Sequence, residues 1–433
     1  MTQINFTAGL KAYTVGLLTL IYTANYVDRQ IVAILLQAIK TDMQLSDTQL
    51  GMLTGLAFGI FYATLGIPIA YLADRMSRKK IIIASLTLFS LMTYACGLAQ
   101  NYVQLLLARI GVGVGEAGTS PPSHAMIADM YAPSDRATPL AVFALGINLG
   151  LFVAFIAGGW IADNYGWRTA IQVIALPGFV LAIIAWFTLK DPPRGMSDDV
   201  AGESEAPPLM DTVRYMWRTP SMRQLLIGST LIIIVGYGAV AWLPSYFIRV
   251  HGMTVTQVGM ILALMIGFGG AIGTTTGGVV ADRLGKKDVR WNMWLVGIVG
   301  IVVAPFSVIG YLAGSGQAAL LWLIIPTMAG ALYFGPTLAM LHTLVKPEMR
   351  SLASAILLFI NNIFGLGIGP LRVGMMSDAL APEYGSRGLG VALALMVIIG
   401  LWGSVHYLLA GRSLARDIEA MQRGLTSEAA PAA

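Results

Sequence analysis

The chain has 433 residues and contains twelve long apolar stretches, most of them separated by short polar segments. A helix needs roughly 20 mainly apolar residues to cross the hydrocarbon core of a bilayer. The composition fits this pattern, because 56% of the residues are hydrophobic and only 11% are charged, whereas soluble domains carry roughly 25% charged residues. The sequence therefore predicts an all-α membrane protein with twelve transmembrane helices. It excludes a soluble enzyme, a nucleic-acid-binding module and a disordered scaffold.

The predicted spans are numbered 1 to 12 in chain order. They are 13–38, 48–72, 81–99, 102–127, 138–162, 169–189, 222–248, 255–280, 291–313, 317–344, 350–375 and 387–410. One long polar segment divides them into two sets of six. The predicted domains are a first bundle at 1–189, a linker at 190–221, a second bundle at 222–411 and a tail at 412–433. The end of the linker, from Leu209 to Arg218, predicts a short amphipathic helix at the membrane surface.

Basic residues are distributed unevenly between the two sides of the predicted spans. With both termini and the linker in the cytoplasm, 20 of the 27 Lys and Arg residues are cytoplasmic, 5 are outside and 2 lie within spans. Loops rich in Lys and Arg remain in the cytoplasm. We therefore expect a multi-pass protein of the inner membrane with both termini cytoplasmic. The first apolar run lacks a small-residue cleavage site, so it is interpreted as an uncleaved span rather than a signal peptide.

The two halves of the sequence repeat each other at a nearly constant spacing. The repeated segments are Ala70-x-x-x-Asp74-Arg75-x-Ser77-Arg78-Lys79 and Gly278-x-x-x-Asp282-Arg283-x-Gly285-Lys286-Lys287 after spans 2 and 8, Pro133-x-x-Arg136 and Pro347-x-x-Arg350 after spans 4 and 10, and Asp163 and Asp378 near the ends of spans 5 and 11. We therefore expect two six-helix bundles related by pseudo-two-fold symmetry.

These loops resemble those of the major facilitator superfamily, and the resemblance covers the whole chain. The first loop departs from the family pattern at Ala70 and Ser77, where glycine is usual. The segment Arg109-x-x-x-Gly113-x-x-x-Ala117 also resembles a motif of that superfamily. Asn25-Tyr26-Val27-Asp28-Arg29, combined with Gly113-Val114-Gly115-Glu116-Ala117, is similar to the spinster branch. Known spinster proteins transport sphingolipids and lysophospholipids, so the resemblance implies a lipid-like substrate.

Two predicted spans carry charges near their middle. Asp28 lies fifteen residues into span 1 and Glu116 fourteen residues into span 4. A rise of about 1.5 Å per residue places both near the bilayer midplane. Such a charge costs about 2.5–3.5 kcal/mol on insertion scales and usually faces a cavity. We predict that Glu116 is the principal proton-binding group and that Asp28 is a second one, paired with Arg29.

Arg29 and Arg109 are predicted substrate-binding residues, because a planar guanidinium suits an anionic headgroup. Burial favours a neutral carboxyl group, whereas a nearby arginine favours the charged one. Entry of water or of a headgroup would therefore switch the protonation of the site. The alternative is a structural ion-pair network between spans 1 and 4. For Arg109, the alternative is a side chain that snorkels to the membrane surface.

The second half offers aromatic and amide side chains at the depth where the first half has charges. Tyr237, Tyr333 and Asn361 are the predicted substrate contacts there. A cavity lined by charged residues of spans 1 and 4 on one side and by aromatic residues of the second half on the other would suit an amphipathic substrate with one polar head. The alternatives are an interhelical hydrogen bond for Asn361 and packing or lipid-facing roles for the aromatic residues.

The loops predict a cytoplasmic gate, and span 4 predicts a hinge. The gate residues are Asp74, Arg75, Arg78, Asp129, Asp135, Arg136, Asp282 and Arg283. We expect Asp74 at the positive N-terminal end of span 11 and Arg75 paired with Asp129 or Asp135. Alternatively these charges set the topology and bind anionic lipids, an interpretation favoured for Arg78. Pro121 and Pro122 predict a hinge because proline bends a helix, and small-residue packing is the alternative.

No cofactor or metal ion is expected. Cys96 and four scattered histidines lack the spacing of a zinc or iron–sulfur site. No segment matches the phosphate loop that ATP-driven transport would need.

Together these features predict a secondary active transporter that works by alternating access, coupled to protons, for an amphipathic lipid-like or other anionic organic substrate. The alternative is a proton-coupled transporter of a small organic anion or sugar acid. A more remote one is a membrane enzyme acting on lipids, whose nearest candidate pair is Ser123-His124. Adjacent helical residues point about 100° apart, which disfavours that pair. The expected partners are the substrate, protons and membrane lipids, without nucleic acid, and the chain is expected to be monomeric.

Overall fold

The computed structural model describes residues 6–73, 75–132, 135–197 and 208–429, and these residues are almost entirely helical, without a β-strand. The α-helices are α1 (Ala8–Met43), α2 (Asp47–Thr54), α3 (Leu56–Ala73), α4 (Arg78–Leu98), α5 (Tyr102–Glu116), α6 (Ser120–Met130), α7 (Ala137–Thr188), α8 (Leu209–Arg218), α9 (Pro220–His251), α10 (Val255–Leu262), α11 (Gly269–Gly285), α12 (Trp291–Tyr311), α13 (Gly316–Ala329), α14 (Phe334–Leu344), α15 (Arg350–Ile360), α16 (Gly369–Tyr384) and α17 (Gly388–Ala429). Two π-helices, Ala263–Phe268 and Asn361–Ile368, lie between α10 and α11 and between α15 and α16. The all-α prediction is confirmed.

Eight helical stretches within the described ranges are long and apolar enough to cross a membrane. Two of these are interrupted by a glycine with a positive φ angle, and each of the two corresponds to two predicted spans: Ala137–Thr188 is interrupted at Gly166 and Pro347–Arg423 at Gly385. The two glycines have φ angles of 83° and 54°, a left-handed region that glycine adopts without steric cost. Helix α1 and the pair α5–α6 correspond to the two remaining predicted spans.

The helix boundaries follow the internal repeat. Helices α2 and α10 have the same length and begin at Asp47 and Val255, which are equivalent positions of the two copies. Each begins with a capping box, in which the side chains of the N-cap residue and of the residue three positions later bond to the backbone. Helices α6 and α14 also have the same length and begin at the equivalent positions Ser120 and Phe334. The repeat seen in the sequence motifs therefore extends to the start and end of individual helices.

The chain is divided into two compact units. The first unit comprises Met1–Gly202 and Ala241–Gly267, and the second unit comprises Glu203–Val240 and Phe268–Ala433. In the first unit, α7 packs along α1, α4 and α10, and α5 packs against α3 and α4. In the second unit, α12 packs against α13 and α17, and α16 packs against α17.

Small residues allow the closest helix contacts, as Gly259 in the first unit shows. A Cβ atom on Gly259 would lie 2.1 Å from the backbone carbonyl oxygen of Phe155. Because a backbone carbonyl cannot rotate away as a side chain can, any larger residue would separate α10 from α7. Membrane helices commonly use small residues for such contacts.

The linker begins on the first unit and ends on the second. In the first unit, Ser77 Oγ donates to Asp191 Oδ2 at 2.8 Å and Arg194 donates to the carbonyl oxygen of Ala73 at 3.0 Å. In the second unit, the Tyr215 hydroxyl group donates to the carbonyl oxygen of Leu344 at 3.0 Å, which holds α8 in place. The helix predicted between Leu209 and Arg218 is therefore present.

Candidate functional site

A buried ion pair joins α1 to α5 in the first unit. Arg29 Nε and Nη2 donate to Glu116 Oε2 at 3.1 and 2.8 Å. The side chain of Glu116 is fully buried and that of Arg29 is 6% exposed. The second carboxylate oxygen, Oε1, is also buried and has no hydrogen-bond partner in the described parts of the chain. One oxygen atom of Glu116 is thus engaged by a cation, while the other can accept a proton.

Three aromatic rings surround the guanidinium group of Arg29. Its central carbon lies 4.9 Å from the ring centroid of Tyr26, 5.1 Å from that of Phe58 and 4.5 Å from that of Tyr62. The faces of aromatic rings attract cations, most strongly where water is excluded. These rings help Arg29 to keep its charge in a buried position. The sequence did not predict a role for any of them, because aromatic residues in apolar runs usually pack against helices or lipid.

Asp28 has partners other than the predicted one. Thr93 Oγ1 donates to Asp28 Oδ2 at 3.0 Å, and Arg109 Nη1 donates to the backbone carbonyl oxygen of Asp28 at 3.4 Å. The predicted pairing of Asp28 with Arg29 is wrong. Consecutive residues of a helix point about 100° apart, so Asp28 contacts α4 whereas Arg29 contacts α5.

Arg109 lies beside this group and is itself buried. It is 2% exposed, and its guanidinium carbon lies 5.1 Å from the ring centroid of Phe58. The ring of Phe58 is therefore close to the guanidinium groups of both Arg29 and Arg109. The snorkelling alternative for Arg109 is wrong, because the side chain is enclosed within the unit and does not extend to its surface.

Glu116 is positioned by a break in predicted span 4. Helix α5 ends at Glu116 and α6 begins at Ser120, with Pro121 and Pro122 in the first turn of α6. Proline is tolerated there because the first N–H groups of a helix have no intrahelical partner. The prolines therefore begin a new helix and do not bend a continuous one. Their role as a hinge remains a prediction.

Close packing and two polar residues support this break. A Cβ atom on Gly113 would lie 2.8 Å from the backbone carbonyl oxygen of Phe58, so glycine is needed for α3 to approach α5. Thr119 Oγ1 donates to the carbonyl oxygen of Glu116 at 3.0 Å and accepts from Asn25 Nδ2 at 3.2 Å. Asn25 belonged to the spinster-like segment, but the sequence alone gave no partner for it, and Thr119 was not identified.

The predicted site residues of the second unit lie in α9, beside α14 and in a π-helix. Tyr237 packs against Gly365, where an added Cβ atom would lie 3.0 Å from the Tyr237 ring. Tyr333 immediately precedes α14. Asn361 begins the second π-helix and is 5% exposed, and its buried Oδ1 atom has no hydrogen-bond partner among the described residues. The interhelical bond considered for Asn361 is therefore not made through Oδ1. Short π-helices frequently mark functional positions.

One pair of the predicted gate residues is joined in the first unit. Arg78 forms a buried ion pair with Asp129, and the backbone N–H group of Gly195 donates to Asp129 Oδ1 at 3.0 Å. The expected pairing of Arg75 with Asp129 is wrong, since Arg78 takes that place. The Arg75 guanidinium carbon instead lies 3.5 Å from the ring centroid of Tyr71. Arg78 is 7% exposed, so it is more than a surface charge that sets topology.

The other predicted gate residues lie in both units. Arg136 Nε donates to the carbonyl oxygens of Ala128 and Tyr131, both at 2.9 Å, and so caps the end of α6. Asp135 lies next to it, in the turn before α7. Asp282 and Arg283 have exposed side chains in the second unit. Asp74 lies outside the described residues.

A further charged cluster, which was not predicted from the sequence, lies in the first unit. Asp47, which is 2% exposed, accepts from Lys40 Nζ at 2.5 Å and from Arg249 Nη1 and Nη2 at 2.6 and 2.9 Å. Arg249 Nε also donates to Gln37 Oε1 at 2.9 Å. We call Lys40, Asp47 and Arg249 the rim cluster. The count of basic residues places Lys40 and Arg249 only as charges on the outer side of the membrane, because their shared partner Asp47 is evident only from the fold.

Two more carboxylates have specific partners in the same unit. Asp163 accepts from the backbone N–H groups of Val255 and Thr256 at 3.3 and 2.7 Å, where the positive end of α10 favours a negative charge. Asp42 forms an ion pair with Arg168. The hydrogen bond from Arg168 lowers the pKa of the Asp42 carboxyl group below its usual range.

Comparison with known proteins identifies the class to which this fold and site belong. Residues 18–370 match the family described as the Major Facilitator Superfamily. The chain belongs to this superfamily, and it is an integral membrane transporter and not an enzyme.

Individual relatives narrow the assignment. A protein of Mycolicibacterium smegmatis described as an MFS-type efflux pump is 36% identical, with 93% of both chains covered. Protein spinster homolog 1 of Homo sapiens is 27% identical, with 92% of this chain and 80% of that protein covered. A crystal structure of a bacterial homolog to the human lysosomal transporter spinster, inward-facing and unoccupied, gives a TM-score of 0.87 at 29% identity, with 95% of this chain and 99% of that chain covered. The chain is thus a member of the spinster branch.

Proposed function

We propose that the protein is a proton-coupled secondary transporter and that the Arg29–Glu116 pair is its coupling element. The observation that carries this proposal is the unequal environment of the two Glu116 oxygens, one bound by Arg29 and the other buried without a partner among the described residues. Intramembrane acids with this degree of burial usually belong to ion or substrate paths. Asp28, held by Thr93, is the second proton-binding group in the proposal.

Proton binding and anion binding favour each other at this pair. Protonation of Glu116 removes the negative partner of Arg29 and leaves a buried guanidinium uncompensated, which is costly. An anionic group on the substrate takes the place of the carboxylate and restores charge balance. When the substrate leaves, Glu116 loses its proton and binds Arg29 again. This cycle couples the movement of an anion to the movement of a proton in the same direction.

The surroundings of Arg29 favour an amphipathic substrate. Three aromatic rings around the guanidinium group leave few hydrogen-bonding groups for a polyhydroxylated ligand. Arg29 is proposed to bind the anionic head, with Arg109 as a second cationic group. In the second unit, Tyr237 and Tyr333 are proposed to contact the apolar body, and Asn361 to offer its buried Oδ1 atom as an acceptor.

Alternating access requires contacts that form in one state and break in another. We propose the Arg78–Asp129 pair and the rim cluster as such contacts, with Asp74, Arg75, Asp135, Arg136, Asp282 and Arg283 as further members of the cytoplasmic gate. Pro121 and Pro122, at the start of α6, are the proposed hinge. The proposed location is the inner membrane, with both termini cytoplasmic and the chain acting as a monomer.

The experiment that tests the coupling proposal is flux in proteoliposomes under an imposed pH gradient. Lysophospholipids, sugar acids and small organic anions are offered in turn, and proton movement is followed with an internal pH-sensitive dye. The variant Glu116→Gln imitates a permanently protonated carboxyl group. We expect it to lose proton-driven flux while retaining exchange of labelled for unlabelled substrate. Glu383→Gln makes the same chemical change at an exposed position and serves as the matched control.

Each arm of this experiment has a decisive result. Proton-driven flux that persists at the wild-type rate in Glu116→Gln removes Glu116 from the coupling mechanism. Flux of sugar acids without flux of lysophospholipids would replace the amphipathic substrate by a small anion, while leaving the proposal for Glu116 intact.

A further inference from the structure

Helix α8 presents three different faces, and these suggest a role for the linker that is independent of the transport mechanism. Thr212 and Met216 are buried against the second unit. Met210, Val213 and Trp217 form an apolar stripe and are 63%, 37% and 55% exposed. A short helix with an exposed apolar stripe and a charged neighbouring face is typical of helices that lie in the membrane–water interface.

The charged face of α8 borders a cavity of about 570 Å³ within the second unit. Its other walls are the segment between α14 and α15, represented by Lys346 and Met349, and helix α17. The lining residues are Asp211, Arg214, Tyr215, Arg218, Thr219, Pro220, Lys346, Met349, Asp417, Ala420 and Met421. Cavities that bind small ligands typically enclose about 300–1,000 Å³, so this one has room for a headgroup and part of an attached chain.

The cavity contains three cationic side chains, Arg214, Arg218 and Lys346, and two carboxylates. The carboxylate of Asp417 is buried and accepts from the backbone N–H group of Ser221 at 2.8 Å, so it serves to begin α9. The carboxylate of Asp211 contacts Arg214 at 3.2 Å, with both side chains more than half exposed. An exposed ion pair of this kind contributes little, so a doubly or singly charged phosphate group can displace Asp211 from Arg214.

The position of the apolar stripe indicates where the ligand comes from. Met210 and Arg214 are four residues apart on α8 and so lie one above the other on the helix surface, which is where the apolar stripe and the cations border each other. If the stripe enters the bilayer surface, the cations lie at the depth of the lipid headgroups. Two guanidinium groups and an ammonium group match the oxygens of a phosphodiester. Methionines at the cavity wall offer an apolar surface to the adjoining glycerol and acyl chain.

We propose that the cavity between α8 and α17 binds the phosphate group of an anionic membrane phospholipid and so fixes the end of the linker to the bilayer. Arg214, Arg218 and Lys346 hold the phosphate, while Met210, Val213 and Trp217 insert beside it. Neither Arg29 nor Glu116 takes part, so the site can be present whether or not the coupling mechanism is correct.

Native mass spectrometry of the full-length protein in detergent tests this site, with phosphatidylglycerol as the probe and phosphatidylcholine as the neutral comparison. The triple variant Arg214→Gln, Arg218→Gln, Lys346→Gln should bind phosphatidylglycerol roughly a hundredfold more weakly, since each basic residue near a membrane surface contributes a factor of about five. The matched control removes three exposed charges elsewhere in the second unit, at Lys286, Lys287 and Arg412. It should bind within about twofold of wild type, because those residues do not line the cavity.

Three results would overturn the proposal. Equal weakening in the cavity variant and in the control would show unspecific attraction to positive charge. Wild-type affinity in the cavity variant would show that no site exists there. Displacement of phosphatidylglycerol by millimolar inorganic phosphate, with no preference for the lipid, would assign the cavity to free phosphate instead.

Two further variants keep the test decisive if the triple variant does not fold. Arg218 is exposed, so Arg218→Gln alone should fold and should still weaken phosphatidylglycerol binding by a few-fold. The pair Arg214→Lys, Arg218→Lys retains the positive charge and should retain most of the binding. Unchanged binding in Arg218→Gln would count against the site.

Discussion

The two halves of the chain share a helix plan but differ in the chemistry at equivalent positions. When the two copies of the repeat are aligned on the starts of α2 and α10 and of α6 and α14, Asp28 corresponds to Gly236, Arg29 to Tyr237 and Glu116 to Gly330. The first half thus places two acids and an arginine where the second half places two glycines and a tyrosine. At these positions, one copy of the repeat therefore carries the buried charges and the other carries none.

The backbone shows the same division. In the described parts of the chain both π-helices, Ala263–Phe268 and Asn361–Ile368, belong to the second half. The charged group of the first half lies at a break between two α-helices, at Glu116, and the second half has the equivalent break between α13 and α14, at Gly330. The two halves therefore share this break, and among the described residues the widened turns are what the second half has in addition.

Arg29→Met should produce the largest effect, because it makes the first half resemble the second while leaving Glu116 buried without a cation. Removal of one partner of a buried ion pair costs about 3–5 kcal/mol. We expect a large drop in the midpoint of thermal unfolding in detergent. The double variant Arg29→Met, Glu116→Gln should recover most of the lost stability. An Arg29→Met protein as stable as wild type would show that the pair is not essential to the core.

Asp47→Asn should have the next largest effect, at a position where the two capping boxes differ. The first helical residue is Asp47 in α2 but Val255 in α10. Asparagine keeps the shape and one acceptor but leaves Lys40 and Arg249 without an anion. We therefore expect the free energy of unfolding to fall by about 3 kcal/mol, at the lower end of the range for a broken buried ion pair. Hydrogen exchange of peptides within 241–267 should accelerate at least about tenfold. Unchanged hydrogen exchange in these peptides would show that the rim cluster does not hold residues 241–267 in place.

Thr93→Val should have a moderate effect, and Thr337→Val offers a direct comparison in the second half. Thr93 donates to the carboxylate of Asp28 at 3.0 Å, whereas Thr337 has neutral partners, the hydroxyl group of Tyr407 at 2.5 Å and the carbonyl oxygen of Tyr333 at 2.6 Å. Hydrogen bonds to charged groups contribute about 1.5–3 kcal/mol and neutral ones about 0.5–1.5 kcal/mol. Thermal unfolding of both variants measures the difference. A larger loss of stability for Thr337→Val than for Thr93→Val would contradict the idea that the buried charges are concentrated in the first half.

Gly236→Ala should have the smallest effect and should stabilise the protein slightly. Gly236 lies within α9 at the position equivalent to Asp28, and a Cβ atom there would meet no atom within 4 Å. Alanine in place of an unconstrained helical glycine is worth about 0.4–1 kcal/mol. Gly113→Ala is the contrasting control, because its Cβ atom would lie 2.8 Å from the Phe58 carbonyl oxygen. Destabilisation by Gly236→Ala as well as by Gly113→Ala would contradict the expected gain in stability at Gly236.

Most of the fold could be predicted from the sequence, because span length and loop charge report directly on the bilayer. The spacing of the repeat even matches the starts of α10 and α14. The π-helices could not be predicted, since nothing in Ala263–Phe268 or Asn361–Ile368 distinguishes a widened turn from an ordinary one. Gly166 and Gly385 were not identified as the points where consecutive spans join.

The candidate site was predicted in its members but not in its contacts. The depth of Asp28, Arg29 and Glu116 follows from counting residues along a helix. Which carboxylate binds Arg29 depends on the rotation of α1 against α4 and α5, and hydropathy does not report rotation. Arg78 illustrates the same limit, because a count of basic residues treats it like its neighbours although it is the one that pairs with Asp129.

The π-helix at Asn361–Ile368 has a mechanical consequence for α16. A π-turn holds one more residue than an α-turn. Conversion of that turn to ordinary α-helix would rotate everything after it by about 100° and shift it by about 1.5 Å along the axis. Such a change of register would replace the set of side chains that α16 presents to its neighbouring helices by another set.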